Sequence, residues 1–287
     1  MVKRLFPPLV NRILAFVQTH SLRGTYRLYR YIARNFPERV IQHKIKGRPF
    51  VVPADQWCFW LERGPARYYE EEFIPFCAAI NKHVGDFVFF DLGADIGVVS
   101  SLIETHCARL KSVVAVEPNP SAYELLETNL NHFPVPTHVI QGAVSDFNGT
   151  ADLLRDKNTL TDHEGRIERK EGGSVAVWRL DDLTEALDDC SWSDVVVKID
   201  VEGEEIETID GAARVLAEAP RALLLLEIHP EVLERTGATP ESLFSAAEAI
   251  RKWTWLIPGC RNMVLNRERA FYDQVPVAQY DVIAVSV

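Results

Sequence analysis

Cysteine is scarce in this sequence and poorly placed for pairing. The five are Cys58, Cys77, Cys107, Cys190 and Cys260, an odd number with no C-x-x-C pair among them. That excludes a disulfide framework and a cysteine zinc site as organising principles, and the expectation is a reducing compartment. Long apolar runs are also missing. Spanning a bilayer takes roughly 20 apolar residues, whereas the longest run lies between Arg221 and Glu227 and reads as a buried strand. Near the start, Lys3 and Arg4 are followed by Pro7-Pro8, Asn11 and Arg12, which interrupt any signal-peptide core. There is no internal repeat and no low-complexity tract. The expectation is a soluble, cytoplasmic protein.

What is present is an ordinary globular balance over 287 residues, 47% hydrophobic and 25% charged. That is enough chain for one large α/β domain with an appendage. The formal charge of -10 conceals an asymmetry. Residues 1–48 carry 11 Lys and Arg against one acid, Glu38, while the remainder carries 20 bases and 40 acids. A basic arm (+10) thus adjoins an acidic body (-20). Residues 1–36 read as helical. Leu9, Ile13, Leu14 and Val17 recur at helical spacing, and Leu22 to Phe36 interleaves Arg23, Arg27, Arg30 and Arg34 with aromatic and aliphatic residues. Two readings stay open: a peripheral contact of residues 1–48 with anionic lipid or an acidic partner, or packing against the chain's own acidic body or a second copy in a homo-oligomer. With short strands around Gly47 and Pro53, residues 1–60 make a basic helical N-terminal arm, and residues 61–287 the main domain.

In that domain strand and helix patterns alternate. The segments Phe87–Asp91, Ser112–Glu117, Thr137–Val144, Asp194–Asp200 and Ala222–Glu227 read as strands. Helices are predicted at Tyr68–His83, Ile96–Ala108, Pro120–Asn131, Glu204–Ala217 and Pro240–Lys252, with Asn119 or Ser121 capping the third. Short alternation of this kind predicts a parallel sheet with right-handed crossovers. Trp253–Ile257 and Asp281–Val287 close it as an antiparallel pair. Two further strands, Thr150–Leu154 and Ser174–Trp178, flank a charged stretch, Arg155–Gly173, that reads as a mobile loop near the ligand edge.

The strongest chemical signal is Asp91-Leu-Gly93-Ala94-Asp95-Ile-Gly97 at a strand-to-helix turn. In doubly wound folds the ligand lies across the strands' carboxyl ends. A dinucleotide fingerprint needs G-x-G-x-x-G, but Asp95 stands at its second glycine and Val98 at its third. Acids at a helix start repel a pyrophosphate and suit a cation. S-adenosylmethionine carries an ammonium and a sulfonium and no phosphate. Glu117, ending the next strand, can accept both ribose hydroxyls. Ala143 and Val144 are small enough to line an adenine ring, or are plain core.

Two further motifs end parallel strands. In Lys198-Ile-Asp200-Val-Glu202-Gly-Glu204-Glu205, alternation puts Lys198, Asp200 and Glu202 on one side. Such groups are costly unless paired or used. Glu204 and Glu205 read as the start of a helix. In Glu227-Ile-His229-Pro230, Glu227 and His229 share a side. His229 is a candidate general base or a structurally satisfied histidine. Asp200, Glu202, Glu227 and His229 can hold a divalent cation, or can pair with Lys198.

Together, Phe90–Gly97, Val116–Pro120, Ala143–Asp146, Lys198–Glu204 and Glu227–His229 resemble the FkbM family of methyltransferases over about residues 70–230. The resemblance implies a doubly wound, Rossmann-like, seven-stranded sheet that binds S-adenosylmethionine. It also implies an O-methyltransferase acting on a hydroxyl of a sugar, lipid or natural-product acceptor, with no nucleic acid as partner. By the same resemblance Asp91, Gly93 and Gly97 hold the methionine end of the cofactor, Glu117 the ribose, and Asp146 with Ala143 the adenine region; Ala94, Asp95, Asn119, Val144 and Asp200 are further candidates for cofactor contact. Asp95 stands where the family commonly has Asn. The base is His229 first, with Asp200 or Glu202 second. A nicotinamide dehydrogenase is the rival enzyme, against which the missing glycines count. A cofactor-binding scaffold that no longer catalyses is the rival outside enzymes. Trp57, Trp60, Tyr68 and Tyr69 are candidates for the acceptor pocket or for core.

Overall fold

The computed structural model describes residues 4–20, 22–61, 63–155, 165–186, 193–258 and 263–287, without the side chains of residues 66 and 68–72. At the N-terminus β1 (Arg4–Leu5) leads into helices α1 (Pro8–His20) and α2 (Thr25–Asn35). A hairpin follows, β2 (Arg39–Ile45) and β3 (Arg48–Pro53), turning through Lys46 and Gly47 at positive φ. β1 pairs with β2 to complete a three-stranded sheet. The helical segment expected over residues 1–36 is therefore broken. Gly24 takes φ +95°, and Thr25 Oγ1 donates to the Leu22 carbonyl at 2.6 Å. Within α1 the buried ridge is Leu14 and Gln18, whereas Leu9 and Ile13 face outward.

After the short α3 (Cys58–Leu61) and the long α4 (Pro65–His83) the main sheet begins. It is built from β4 (Phe87–Leu92), α5 (Val98–His106), β5 (Leu110–Glu117), α6 (Pro120–Leu130) and β6 (Thr137–Gln141). The third expected strand stops at Gln141. Beyond Gly142 the chain enters a separate four-stranded sheet of β7 (Ala143–Val144), β8 (Gly149–Leu154), β9 (Arg166–Arg169) and β10 (Val175–Trp178). Part of the expected loop Arg155–Gly173 is thus strand: β9 pairs antiparallel with β8. Residues 156–164 of that stretch lie outside the described residues. Helix α7 (Leu180–Ala186) leads back to the main sheet through β11 (Asp194–Ile199), α8 (Glu205–Gly211), α9 (Ala213–Glu218) and β12 (Ala222–Ile228). The remainder is α10 (Pro230–Thr236), α11 (Pro240–Ile250), β13 (Trp253–Ile257), β14 (Met263–Val264) and β15 (Tyr280–Ser286).

The main sheet has the order β14-β13-β15-β12-β11-β4-β5-β6. The five strands from β12 to β6 are parallel, and β15 runs antiparallel between β12 and β13, as the patterns predict. The eighth strand, beyond the seven expected, is the two-residue β14 at the edge. Strands β4 and β11 are buried at every residue, as parallel strands covered on both faces must be. Alternation divides them between two apolar layers. Phe87 and Phe89 pack under α4, α5 and α6 together with Phe6, Leu14 and Ile32 of the N-terminal region. Val88, Phe90 and Leu92 pack under α8, α9 and α11. The chain reverses its winding between β4 and β11, and a ligand crevice is expected at the carboxyl ends there.

Among the described residues no helix is long and apolar enough to cross a membrane. Cys58, Cys77 and Cys107 are free and buried, and Cys190 and Cys260 lie outside the described residues.

Candidate active site

Strand register assembles the site. Asp91 of β4 stands beside Lys198 of β11, which stands beside Leu225 of β12. Their carboxyl ends therefore project into one crevice. Gly93 turns the chain out of β4 at φ +76°, and a Cβ there would lie 1.7 Å from the Asp200 carbonyl oxygen. Only glycine satisfies both the torsion and the contact. Gly97 takes φ +85° for another reason: a Cβ would strike Leu130 and Leu126 of α6 at 2.3 and 2.8 Å. Gly97 thus seats the α5 start against α6 and does not line the crevice.

Asp91 is fully buried behind the loop. It accepts from Ser100 Oγ at 2.6 Å, and Lys198 Nζ lies 3.6 Å from its other oxygen. Burial raises its carboxyl above the usual carboxylate range, against the pull of Lys198. Lys198 also donates to the Gly93 carbonyl at 2.8 Å and pairs with Asp200 at 2.9 Å. Burial works against its ammonium, but Asp200 and Asp91 more than restore it, and Lys198 stays charged above the ordinary lysine range. Asp91 and Lys198 therefore clamp β4, the glycine turn and β11 together. Lys198 and Asp200 reach the cavity wall, and Asp91 supports it from behind.

Glu117 ends β5 with one oxygen accepting from the Asp95 N–H at 2.9 Å and the other from the Asn119 N–H at 2.8 Å. Burial, then the nearby Asp95 charge, pushes its carboxyl up to about 8. The Asp95 N–H, which a phosphate would need, is thus already committed. Asn119 caps α6 through Ser121 N at 3.0 Å and lines the cavity as well. Ala143 and Val144 sit buried on the wall where β7 leaves Gly142. Asp146 is exposed and stands outside that wall.

At the other end Glu227, partly buried, accepts from Gln279 Nε2. Burial, the charge of Asp200 and a hydrogen bond shared with it hold Glu227 well above the usual carboxylate range. Register explains the company: Asp281 of β15 lies opposite Glu227 in the antiparallel pair. His229 caps α10 and lines the same cavity, with Nδ1 buried and without a hydrogen-bond partner. Glu202 adopts φ +56° and Asp95 φ +46°. Left-handed backbone at non-glycine residues costs about 1–3 kcal/mol and tends to mark functional sites. Among the described residues no group of three or more His, Cys, Asp or Glu is arranged to hold a metal ion. The alternative of pairing with Lys198 is the one adopted by Asp200.

These groups enclose one cavity of about 330 Å³, running from Asp95, Glu117 and Ala143 to Asp200, Glu227 and His229. Several of its walls were not legible in the sequence. Glu204, expected only to open a helix, faces the cavity and accepts from Ser145 Oγ at 2.7 Å. Leu153 and Ile167 come from the four-stranded sheet, Asp281 from the last strand with Gln279 just before it, and Phe73 from α4. Trp57 lines the cavity and is half-exposed, whereas Trp60 is fully buried and donates to the Ala54 carbonyl, a core residue. The side chains of Tyr68 and Tyr69 lie outside those described. Apart from Glu204, no local pattern marks these positions, because separate elements deliver them.

The chemistry of the wall fits S-adenosylmethionine. Asp95 stands where a dinucleotide would need glycine, and Glu117 takes up the Asp95 N–H that its phosphate would need. Acids also crowd the far end, as a cationic centre prefers, and small apolar residues close the adenine side. Fold and site together define a Rossmann-like enzyme for a cationic nucleoside cofactor. The family model described as Methyltransferase FkbM domain matches residues 91–255, more than half of the chain. The chain belongs to that family.

Among solved structures it is similar to an FkbM methyltransferase from Methylobacillus flagellatus, at 17% identity and TM-score 0.45, over 80% of this chain and 52% of that one. This chain thus spans about half the length of that relative. It is also similar to a precorrin-6y C5,15-methyltransferase from Geobacter metallireducens, at 15% identity and TM-score 0.36, over 74% of this chain and 84% of that one. A third is a fibrillarin from Aeropyrum pernix with natively bound S-adenosyl-L-methionine, at 12% identity and TM-score 0.38, over 74% of each chain. No curated protein matches the chain.

Proposed function

We propose that the protein methylates a hydroxyl oxygen of a sugar, lipid or natural-product acceptor in the cytoplasm. One observation carries the reading: the cofactor end and a proton-handling end, with Asp200, Glu227 and His229, share a single cavity. S-adenosylmethionine supplies an electrophilic methyl group when bound. A hydroxyl is a poor nucleophile until a base removes its proton. In this reading His229 takes that proton, since it lines the cavity and has an uncommitted ring nitrogen. Asp200 stands second, paired with Lys198 at 2.9 Å, and Glu202 beside it. Glu227 in its protonated form donates to Asp200 and lowers the local negative charge. Alignment of cofactor and acceptor within the cavity supplies the rest. The acids Glu202, Glu204 and Asp281 disfavour phosphate-bearing acceptors and nucleic acid.

The test uses S-adenosylmethionine with an isotopically labelled methyl group and a panel of polyols, glycolipids and hydroxylated natural products, followed by NMR of the product. Label on an ether oxygen supports the reading. Label on nitrogen or carbon overturns it. Binding of S-adenosylhomocysteine with no acceptor methylated favours the scaffold.

A further inference from the structure

We propose that the outward faces of α1 and α2 dock the protein onto an anionic lipid surface. The orientation of α1 is set by its inner ridge. Leu14 and Gln18 are buried, and Asn11 exchanges two hydrogen bonds with the Gln42 backbone at 3.1 and 2.8 Å. Leu9, Ile13 and Phe16, spaced by four and three residues, therefore form one stripe on the opposite side. They are 71%, 53% and 54% exposed. A globular helix normally turns charge to water on that side, so the stripe is a face without a cover. His20 extends it, stacked on Phe16 at 4.0 Å.

Helix α2 supplies the charge. Thr25 and Ile32 are its buried residues. Arg27, Arg30 and Arg34, at the spacing of one helix face, are exposed, as is Arg23 just before the helix, and among the described residues none has an ion-pair partner. Tyr26 and Tyr31, both exposed, border this row. Basic rows beside apolar and aromatic side chains are the composition of helices lying in a bilayer interface. Of the fifteen large hydrophobic residues exposed among those described, eight lie between Leu5 and Tyr31, so the apolar exposure is concentrated on this arm.

Charge decides the occupant. Arm against arm, a second copy would oppose +10 with +10, whereas an anionic headgroup layer neutralises the arm and repels the acidic body behind it. Position supports the choice. Both helices pack on α3, whose first residue Cys58, with Trp57 before it, lines the cavity. The docking helices thus rest on an element that carries part of the cavity wall.

The full-length protein is sedimented with vesicles of phosphatidylcholine alone or mixed with phosphatidylserine, at low and high salt. Binding to the mixed vesicles only, weakened by salt, is expected. The double variant Arg27→Gln/Arg30→Gln should bind about 25-fold more weakly, about fivefold for each arginine. Ile13→Asp/Phe16→Asp should bind at least about tenfold more weakly. S-adenosylhomocysteine binding measured by calorimetry should be unchanged in both variants, which separates lost docking from lost folding. No binding of the wild type to the mixed vesicles at low salt overturns the proposal. So does a dimer in solution that Ile13→Asp/Phe16→Asp dissociates, since the face would then be a copy interface. The outcome is independent of which atom is methylated, so failure of the O-methylation reading leaves this one standing.

Discussion

Replacing Glu117 with Gln should flatten the pH dependence of the unliganded protein's stability. In the fold its carboxyl is pushed from 4.5 to about 8, chiefly by burial and then by Asp95. A carboxyl raised on folding binds its proton more tightly in the native than in the unfolded state. Its contribution is therefore fully present below about 4.5 and is lost as pH rises through about 8. At 1.36 kcal/mol per pH unit, the rise amounts to about 5 kcal/mol across that window, as an upper bound. Gln keeps the shape but cannot titrate. Its amide faces one of the two N–H groups now bonded to Glu117, which costs about 1–3 kcal/mol at every pH. The offset is thus expected to be constant and the slope to differ. Urea unfolding at intervals between pH 5 and pH 8.5 measures both. Other raised carboxyls, among them Asp91 and Glu227, leave some slope in the variant. If wild type and Glu117→Gln lose stability in parallel across the window, Glu117 titrates normally and its burial has no such consequence.

Two further changes probe the same site. Gly93→Ala puts a Cβ 1.7 Å from the Asp200 carbonyl at φ +76°. It should cost about 3 kcal/mol or more, lower the melting temperature by about 6–12 °C, and weaken S-adenosylhomocysteine at least tenfold by calorimetry, roughly 1.4 kcal/mol. Wild-type affinity would show that the turn is not held as described. His229→Ala should slow turnover about 100-fold or more while leaving cofactor affinity unchanged; unaltered turnover removes His229 as the base and moves the role to Asp200.

Much of this was legible along the chain. The glycine turn at Asp91–Gly97, the acid ending the next strand and the Lys198–Asp200 pair are local. Each sits where a strand pattern gives way to a helix pattern, and period and turn chemistry read from neighbours. Two local readings were incomplete. Asp91 was expected to touch the cofactor, but a carboxylate inside the sheet is buried and supports Lys198 instead. Gly97 serves packing against α6, a contact with Leu126 and Leu130 that no local pattern records.

The sequence by itself determined the fold class, which residues end the strands and the preference for a cationic cofactor over a dinucleotide. All of these follow from periodicity and from which residues stand at the turns. Only the tertiary structure decided that Gln279 and Asp281 meet Glu227, that Trp57 and Phe73 close the cavity, and that the apolar stripe of α1 faces away from the core. Those pairings join residues distant in sequence. Sheet register and the burial of one helix ridge settle them, and both depend on the whole chain packing at once.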